Sequence, residues 1–518
     1  MKSAAVAGAV FAAAFAGGVA QAETVFVQAM GNIPPHLNRL LTTDIAASQF
    51  AEMVMEPLVV QDAEYVPQPL LATSWEVNAD STEFTFHIRQ GVKFHNGETM
   101  KASDVAFTLR TYLPLAPQTS LLKDYIQEIT APDDATVVVR LNQPFAPFVA
   151  ALAGIPIVPE SVFGDGQDVL THPANMAPVG TGPFQLVTYD QGERVVLSRF
   201  DDYWGTPAAI DTMVLPIISD QNARLLAFEG GDLDFLYGSL VDKASYARMY
   251  EMPGVGGYEM GGGVNTLTVH LNARSGPLAD VAVRRALYQA ISSDMLSERA
   301  YYGYGTPARG PIPAAIAWAA SPDVDFRTDL PYDPAAAAAA LDAAGYPVGA
   351  DGTRFTLRLA YISSFGVLAE SSNVIKANLA EVGVNVDLIG EEFNTWADRS
   401  YLTHDFDMSI VFYTSYQDPS LGVARVYICN PDNVFFRNSS GICDQQIDAD
   451  FARAGAVSDP AERQAAFADA ERGVLGVMNA FPLVDDSSVH FGRTDRWDFS
   501  TSHLTSPANW SLVTPVAQ

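Results

Sequence analysis

Basic side chains are scarce in this chain. Its 30 Lys and Arg stand against 60 Asp and Glu, a formal charge of −30. A surface of that sign repels nucleic acid and anionic membranes, so neither is an expected partner. A cationic ligand is compatible with it, and so is an acidic coat that only maintains solubility. Cysteine is scarcer still, with Cys429 and Cys443 alone, which rules out CxxC redox and zinc motifs. Histidine occurs eight times with no pair at ligand spacing on a helix. His87 and His95 are the nearest strand pair, but a metal site needs convergent partners, so none is expected. The P-loop pattern, HExxH and GxSxG are absent. Gly303-Tyr304-Gly305-Thr306-Pro307-Ala308 loosely matches GxGxxA, but Pro307 and the missing strand-to-helix context argue against a dinucleotide loop. No cofactor is expected. The acidic pairs Glu391-Glu392 and Asp485-Asp486 make no ready acid/base dyad, because neighbours on a strand point to opposite faces.

Long apolar runs are also missing. The stretch 4–15 is apolar and small, follows the single positive Lys2, and is too short to span a bilayer. Ala20-Gln21-Ala22 fits a small-x-small cleavage pattern, so residues 1–22 read as an export signal and a soluble periplasmic chain starts near Glu23. No Cys near that point offers a lipid anchor. In an oxidising compartment the two cysteines read as a disulfide, worth about 3 kcal/mol for a loop of this length, with two free buried thiols as the alternative. A chain of 518 residues exceeds what one hydrophobic core serves, so two or three domains are expected.

Strand and helix signals alternate throughout, which predicts mixed α/β lobes. Strands are expected at 24–28, 84–88, 136–141, 195–198, 267–271, 355–361, 384–389 and 408–413, and a short one after Asp234. Helices are expected from Ser103-Asp104 to Tyr112, over 221–228 up to Gly230-Gly231, over 281–291 with Arg284 and Arg285 facing out, within 374–379, and over 461–477. Asp333-Pro334 and the alanines after it start a further helix, with Gly345 at its end. No internal repeat and no long Ser/Gly linker marks a boundary.

Four groups of segments, in order along the chain, carry a resemblance. The first is Leu70-Leu71-Ala72-Thr73-Ser74-Trp75-Glu76-Val77, Phe84-Thr85-Phe86-His87-Ile88-Arg89 and Gly91-Val92-Lys93-Phe94-His95-Asn96-Gly97. The second is Val179-Gly180-Thr181-Gly182-Pro183-Phe184, Gly192-Glu193-Arg194 and Asp202-Tyr203-Trp204-Gly205. The third is Asn272, Val283-Arg284-Arg285-Ala286-Leu287 and Gly303-Tyr304-Gly305-Thr306-Pro307; the fourth runs from Tyr332-Asp333-Pro334 to Ala344-Gly345-Tyr346. Any one is weak, but the ordered set spans nearly the whole exported chain and resembles family 5 of the bacterial extracellular solute-binding proteins, the peptide- and nickel-binding group.

The resemblance implies an α/β, two-lobed periplasmic-binding-protein fold (type II-like, cluster C) with an extra subdomain on lobe I. Lobe I would take 23–58, 177–266 and 490–518, the extra subdomain 59–176, and lobe II 267–489. Crossings would lie near Gly263-Val264-Asn265 and Ser487-Ser488. Gly180-Thr181-Gly182-Pro183 reads as a tight turn whose glycines permit unusual backbone angles, and Asp202-Tyr203-Trp204-Gly205 as a packed aromatic corner. The implied function is capture of a peptide-like small solute for ABC permease subunits by a monomer, without enzymatic chemistry. The ligand-facing candidates are Phe393, Trp396, Tyr413 and Tyr416 as flat walls, with core packing as the competing role. Asp418 would hold a ligand ammonium or cap the turn before Pro419, and Asn265, Ser363 and Phe365 would border the cleft, a plain loop being the other reading of Ser363 and Phe365. Peptide-binding relatives carry an Asp shortly before the position of Asp418 that pairs with the ligand α-amino group. Here that stretch is Thr414-Ser415-Tyr416-Gln417, with no acid, which puts a free-amine anchor in doubt. An oligosaccharide, opine, glutathione or chelated metal is the alternative solute. An exported hydrolase is the rival class, and it needs a convergent nucleophile or carboxylate pair that no motif supplies.

Overall fold

The computed structural model describes residues 23–116, 119–259, 265–416, 418–486, 488–500 and 507–517. The export segment up to Ala22, and Gly263, Val264, Gln417 and Ser487, lie outside them. Among the described residues no helix is long and apolar enough to cross a membrane.

One body is built on a six-stranded mixed sheet in the order Thr306–Pro307, Ala480–Asp486, Asn265–Leu271, Met408–Thr414, Phe355–Ile362, Val384–Glu391. The last three strands are parallel, while Asn265–Leu271 runs antiparallel to both of its neighbours. Helix Gly366–Glu381 makes the crossover between the two parallel strands at the edge, as a parallel pair requires. Leu267, Leu287, Leu359, Ile375, Phe467 and Phe481 belong to the core that covers this sheet.

The other body joins three sheets. Val25–Val27, Thr212–Pro216, Arg194–Arg199 and Phe184–Asp190 form one; Phe235–Leu236, Val489–Arg493 and Val255–Glu259 form the next, bridged to the first through Gln28 and Phe235. An antiparallel sheet of Ala72–Val77, Glu83–Ile88, Thr136–Leu141 and Ile126–Asp133 packs under helix Ala102–Tyr112 and shares a core with the first. The chain therefore passes between the two bodies twice, after Glu259 and after Asp486. Beside the second passage Lys243 of one body and Asp486 of the other form an ion pair at 2.5 Å.

Local signals explain most elements. Asp333 accepts from Ala336 N at 2.9 Å, Pro334 occupies the first turn, and Gly345 takes φ +90° just past the end. Gly231 closes the helix Gln221–Gly230 in the left-handed region. The helix expected from Ser103-Asp104 starts one residue earlier, at Ala102, because Asp104 lies inside its first turn and accepts from Lys101 N at 2.8 Å.

Two expectations are corrected. Arg284 does not face out: it is buried and donates to the carbonyls of Val477, Met478, Leu278 and Ala279, the first two at the end of helix Pro460–Val477. Arg285 is half-buried and donates to Leu475 O at 2.8 Å. Unpaired carbonyls at a helix end outcompete solvent for these guanidiniums. Gly180 and Gly182 do not adopt positive φ. They are glycine because a Cβ would lie 1.9 Å from Val54 O at position 180 and 2.6 Å from Met53 O at position 182, so the requirement is close backbone approach.

Candidate functional site

The parallel strands Phe355–Ile362, Val384–Glu391 and Met408–Thr414 end on the same side of the sheet, and the segments leaving them gather there. Crevices outside the carboxyl ends of parallel strands are the usual ligand sites of open α/β sheets. Ser363 leaves the first strand, and its N and Oγ both donate to Glu391 O on the second, at 2.8 and 3.0 Å. Phe365 is 48 % exposed, 6.5 Å from the Phe412 ring. Glu391 pairs with Arg399, and Glu392 accepts from Asn394 N, starting helix Phe393–Ala397; the two neighbouring acids serve separate structural roles. That helix continues into a π-helical turn, Asp398–Thr403, a wide winding that often accompanies function.

The third strand delivers Tyr413, Thr414, Ser415 and Tyr416. Asn265 Oδ1 accepts from Thr414 Oγ1 at 2.6 Å, tying the passage between the bodies to this strand end. Tyr416 holds φ +52°, a left-handed conformation that is costly for a bulky residue and tends to be kept where a site needs it. Its side chain packs against the core of the opposite body, and Leu421 belongs to that core outright. This strand end is thus the seam between the bodies.

The aromatic candidates separate into wall and core. Phe393 is 41 % exposed and stacks on Phe436 at 5.9 Å. Trp396 is fully buried, with Nε1 donating to Ser409 Oγ at 3.1 Å, and is therefore core rather than a wall. Tyr413 is buried as well, its hydroxyl 2.6 Å from that of Tyr401. Two residues not foreseen from sequence join the group. Phe436, at φ +59°, lies 6.1 Å from Trp396 and 5.7 Å from Tyr401. The Arg425 guanidinium lies 4.4 Å over the Tyr416 ring and 5.5 Å over that of Tyr413, and donates to Gly422 O and Phe436 O. Cys429 and Cys443 are joined in a disulfide that closes the loop carrying Phe435, Phe436 and Arg437. The only available signal was that Phe435-Phe436-Arg437 lies between the two cysteines.

With this geometry in hand, comparison with known proteins is decisive. The sequence profile of "Bacterial extracellular solute-binding proteins, family 5 Middle" matches residues 66–433. The chain belongs to this family. It is 28 % identical over 460 residues to the nickel-binding periplasmic protein of Escherichia coli strain K12, covering 85 % of this chain and 84 % of that one. It is 32 % identical over 356 residues to the dipeptide-binding protein of the same strain, covering 64 % and 65 %. Among solved structures, NikA from Brucella suis in complex with Fe(III)-EDTA superposes with a TM-score of 0.84 at 25 % identity, covering 95 % of this chain and all of that one. The bilobal α/β binding-protein fold follows, and the family and fold are those of non-enzymatic, periplasmic binding proteins of ABC importers.

In this solute-binding protein Asp418 caps rather than waits for a cation. It is 2 % exposed; Oδ1 accepts from Ser420 N, and both oxygens lie 2.9 Å from Arg463 Nη2. The pair lines a cavity of about 230 Å³ between Tyr65, Pro147 and Val149 on one side and Trp318 on the other, but its charges are spent on each other. Behind the strand end, Asp485 accepts from Thr266 Oγ1 at 2.8 Å, and burial pushes its carboxyl up to about 7. Burial likewise pushes the His270 imidazole down to about 3, so it is a neutral core residue.

Proposed function

We propose that this chain is the solute-binding component of an ABC importer that takes a peptide or peptide-like solute between two lobes. The observation that carries the reading is Tyr416: a strained residue at the carboxyl end of a parallel strand of one body, packed on the core of the other and roofed by Arg425. A solute lodged there touches both bodies only when they are together, so binding favours closure by the difference in affinity between the two arrangements. The proposed lobe II is the body of the six-stranded sheet, which the chain joins between Glu259 and Asn265 and leaves after Asp486. The segment 59–176, which carries the sheet of Ala72–Val77, Glu83–Ile88, Thr136–Leu141 and Ile126–Asp133, is proposed as the extra subdomain of a type II-like, cluster C binding protein. Phe393 and Tyr416 are the proposed walls, Asn265, Ser363 and Phe365 the border, and Trp396, Tyr413 and Asp418 the scaffold that positions them.

One observation favours a solute without a free amine end. Thr414, Ser415 and Tyr416 carry no carboxylate, and Asp418 is occupied by Arg463. A chelate, an opine or an oligosaccharide is the second reading on that ground; glutathione, which keeps a free α-amine, is not favoured by it.

The test is native mass spectrometry of freshly purified protein for a retained small molecule, with scattering before and after its removal. A retained compound and a smaller radius of gyration with it bound are expected. An identical envelope with and without a tightly bound compound would sink the closure reading, and turnover of that compound would sink the binding-only one.

A further inference from the structure

Neither packing nor the scaffold explains the setting of Arg437. The chain has twice as many acidic as basic side chains, so a guanidinium normally finds a carboxylate. Arg437 does not: it has no hydrogen-bond or ion-pair partner among the described residues, although it is half-buried. The Arg425 guanidinium, which donates to the carbonyl of the preceding residue Phe436 at 3.3 Å, repels it, and Asp432 attracts it without an ion-pair contact. Arg425 also lacks a carboxylate in ion-pair contact among the described residues; its donors reach only the carbonyls of Gly422 and Phe436. Two like charges thus flank one stretch of backbone, both half-buried and neither in ion-pair contact with an acid among the described residues.

Their setting is specific. Arg437 follows Phe436, whose ring stacks on exposed Phe393, and the disulfide loop pins the segment through Asn438, which donates to Tyr427 O and Ile442 O. The Arg425 guanidinium lies 4.4 Å over the Tyr416 ring at the seam. Next to Tyr416, Ser415 is 2 % exposed, and its Oγ has no partner among the described residues. A half-buried guanidinium without a partner among the described residues, a second one stacked on an aromatic face beside it, and no carboxylate in ion-pair contact with either form a receptor for an oxyanion joined to an apolar or planar body.

We infer that Arg425 and Arg437 are the anion-recognition pair of the cleft, so that the solute is selected by a carboxylate or phosphate group rather than by an α-ammonium. This rests on the solute-binding reading above and adds the charge of the solute to it. An incoming oxyanion neutralises the repulsion between the two cations, and the pair then orders the 430–442 loop against Tyr416. The cleft is locally positive on a strongly negative protein, so cationic solutes meet attraction over the general surface and rejection at the site.

The experiment uses the full exported chain and matched probes: N-acetyl-alanyl-phenylalanine, its C-terminal amide, phenyl phosphate, and alanyl-phenylalanine amide, whose amine is free. Each is titrated calorimetrically into wild type, R437Q and R425K, with unliganded melting curves for all three. Binding of the acid or the phosphate, at least about tenfold weaker binding of the amides, and a loss of about tenfold or more in R437Q at an unchanged melting temperature are expected. The two anionic arms distinguish carboxylate from phosphate. R425K keeps the charge without the fork and should fall between R437Q and wild type. Equal binding of acid and amide, preference for the free amine, undiminished affinity in R437Q, or silence of every probe would overturn the inference. If a small molecule is still retained in native mass spectrometry, the solute-binding reading stands without it; if none is retained and no probe binds, both fall.

Discussion

Glu56 offers the sharpest test of how this fold is held together. Its carboxylate is fully buried and accepts from Thr181 Oγ1 at 2.7 Å, Tyr203 Oη at 2.8 Å and Trp204 Nε1 at 2.8 Å, with the Arg89 guanidinium 4.3 Å over the Trp204 ring. Two of the recurrent segments, Gly180-Thr181-Gly182-Pro183 and Asp202-Tyr203-Trp204-Gly205, thus converge on one acceptor. Glu56→Ala strands Thr181 and Tyr203 as buried donors and Trp204 as a partly buried one. At about 1–3 kcal/mol per stranded buried donor, a loss of about 4 kcal/mol follows. Glu56→Gln keeps one oxygen for Trp204 and Thr181, and the rotatable Tyr203 hydroxyl can accept from the new amide, so about 1 kcal/mol suffices near pH 5. Burial pushes the Glu56 carboxyl from its ordinary 4.5 up to about 7. The native state therefore holds a proton that the unfolded chain has released, and wild type loses stability as pH rises from 4.5 to 7, by about 3 kcal/mol at about 1.4 kcal/mol per unit. Glu56→Gln lacks this dependence and should overtake wild type by pH 8. Urea denaturation followed by tryptophan fluorescence at pH 5 and pH 8 measures both effects. A gap between wild type and Glu56→Gln that stays constant with pH would refute the buried-neutral assignment, and a loss below about 1 kcal/mol in Glu56→Ala would refute the convergence argument.

Three further outcomes follow from the same physics. Burial also raises Asp485 to about 7 and Glu471 to about 8, and lowers His95 to about 4 and His270 and His490 to about 3. Below pH 6.5 the two sets oppose each other, since the unfolded chain binds protons at histidine and the native chain holds them at the acids; above it only the acids titrate, so the melting temperature should fall from pH 6.5 to 8. A melting temperature that rises over that interval contradicts the assignment. Arg284→Met should cost about 2–3 kcal/mol by stranding the carbonyls at the end of helix Pro460–Val477, visible as a lower urea midpoint with unchanged slope, and Arg285→Met should cost less. Cys429→Ser with Cys443→Ser should cost about 3 kcal/mol and speed amide exchange around Phe436 and Arg437 more than elsewhere; uniform exchange would show that the disulfide does not hold that loop.

Much of the architecture was legible from local chemistry. Strands such as Thr136–Leu141 and the caps at Asp333 and Gly231 obey rules that act within a few residues, so side-chain period and turn chemistry suffice to find them. The site was legible only as a neighbourhood. Phe393, Trp396, Tyr413 and Tyr416 lie at the ends of neighbouring strands or on the segments leaving them, but an aromatic has the same local signature as wall or as core, and Trp396 with Tyr413 went to the core because Ser409 and Tyr401 offered their polar tips partners. Asp418 was captured by Arg463, 45 residues away along the chain, a distance over which pattern carries no information.

The amino-acid order alone determined the alternation of strands and helices, the excess of acidic side chains and the family to which the chain belongs, because each is written in spacing or composition. Tertiary structure alone decided that Gly180 and Gly182 yield to the backbone of Met53 and Val54, that Arg284 turns inward, and that Arg425 lies over Tyr416 while donating to the carbonyl next to Arg437. Those outcomes depend on which surfaces come together in space, and burial sets the energy of a charge or a missing Cβ only once the neighbour is present.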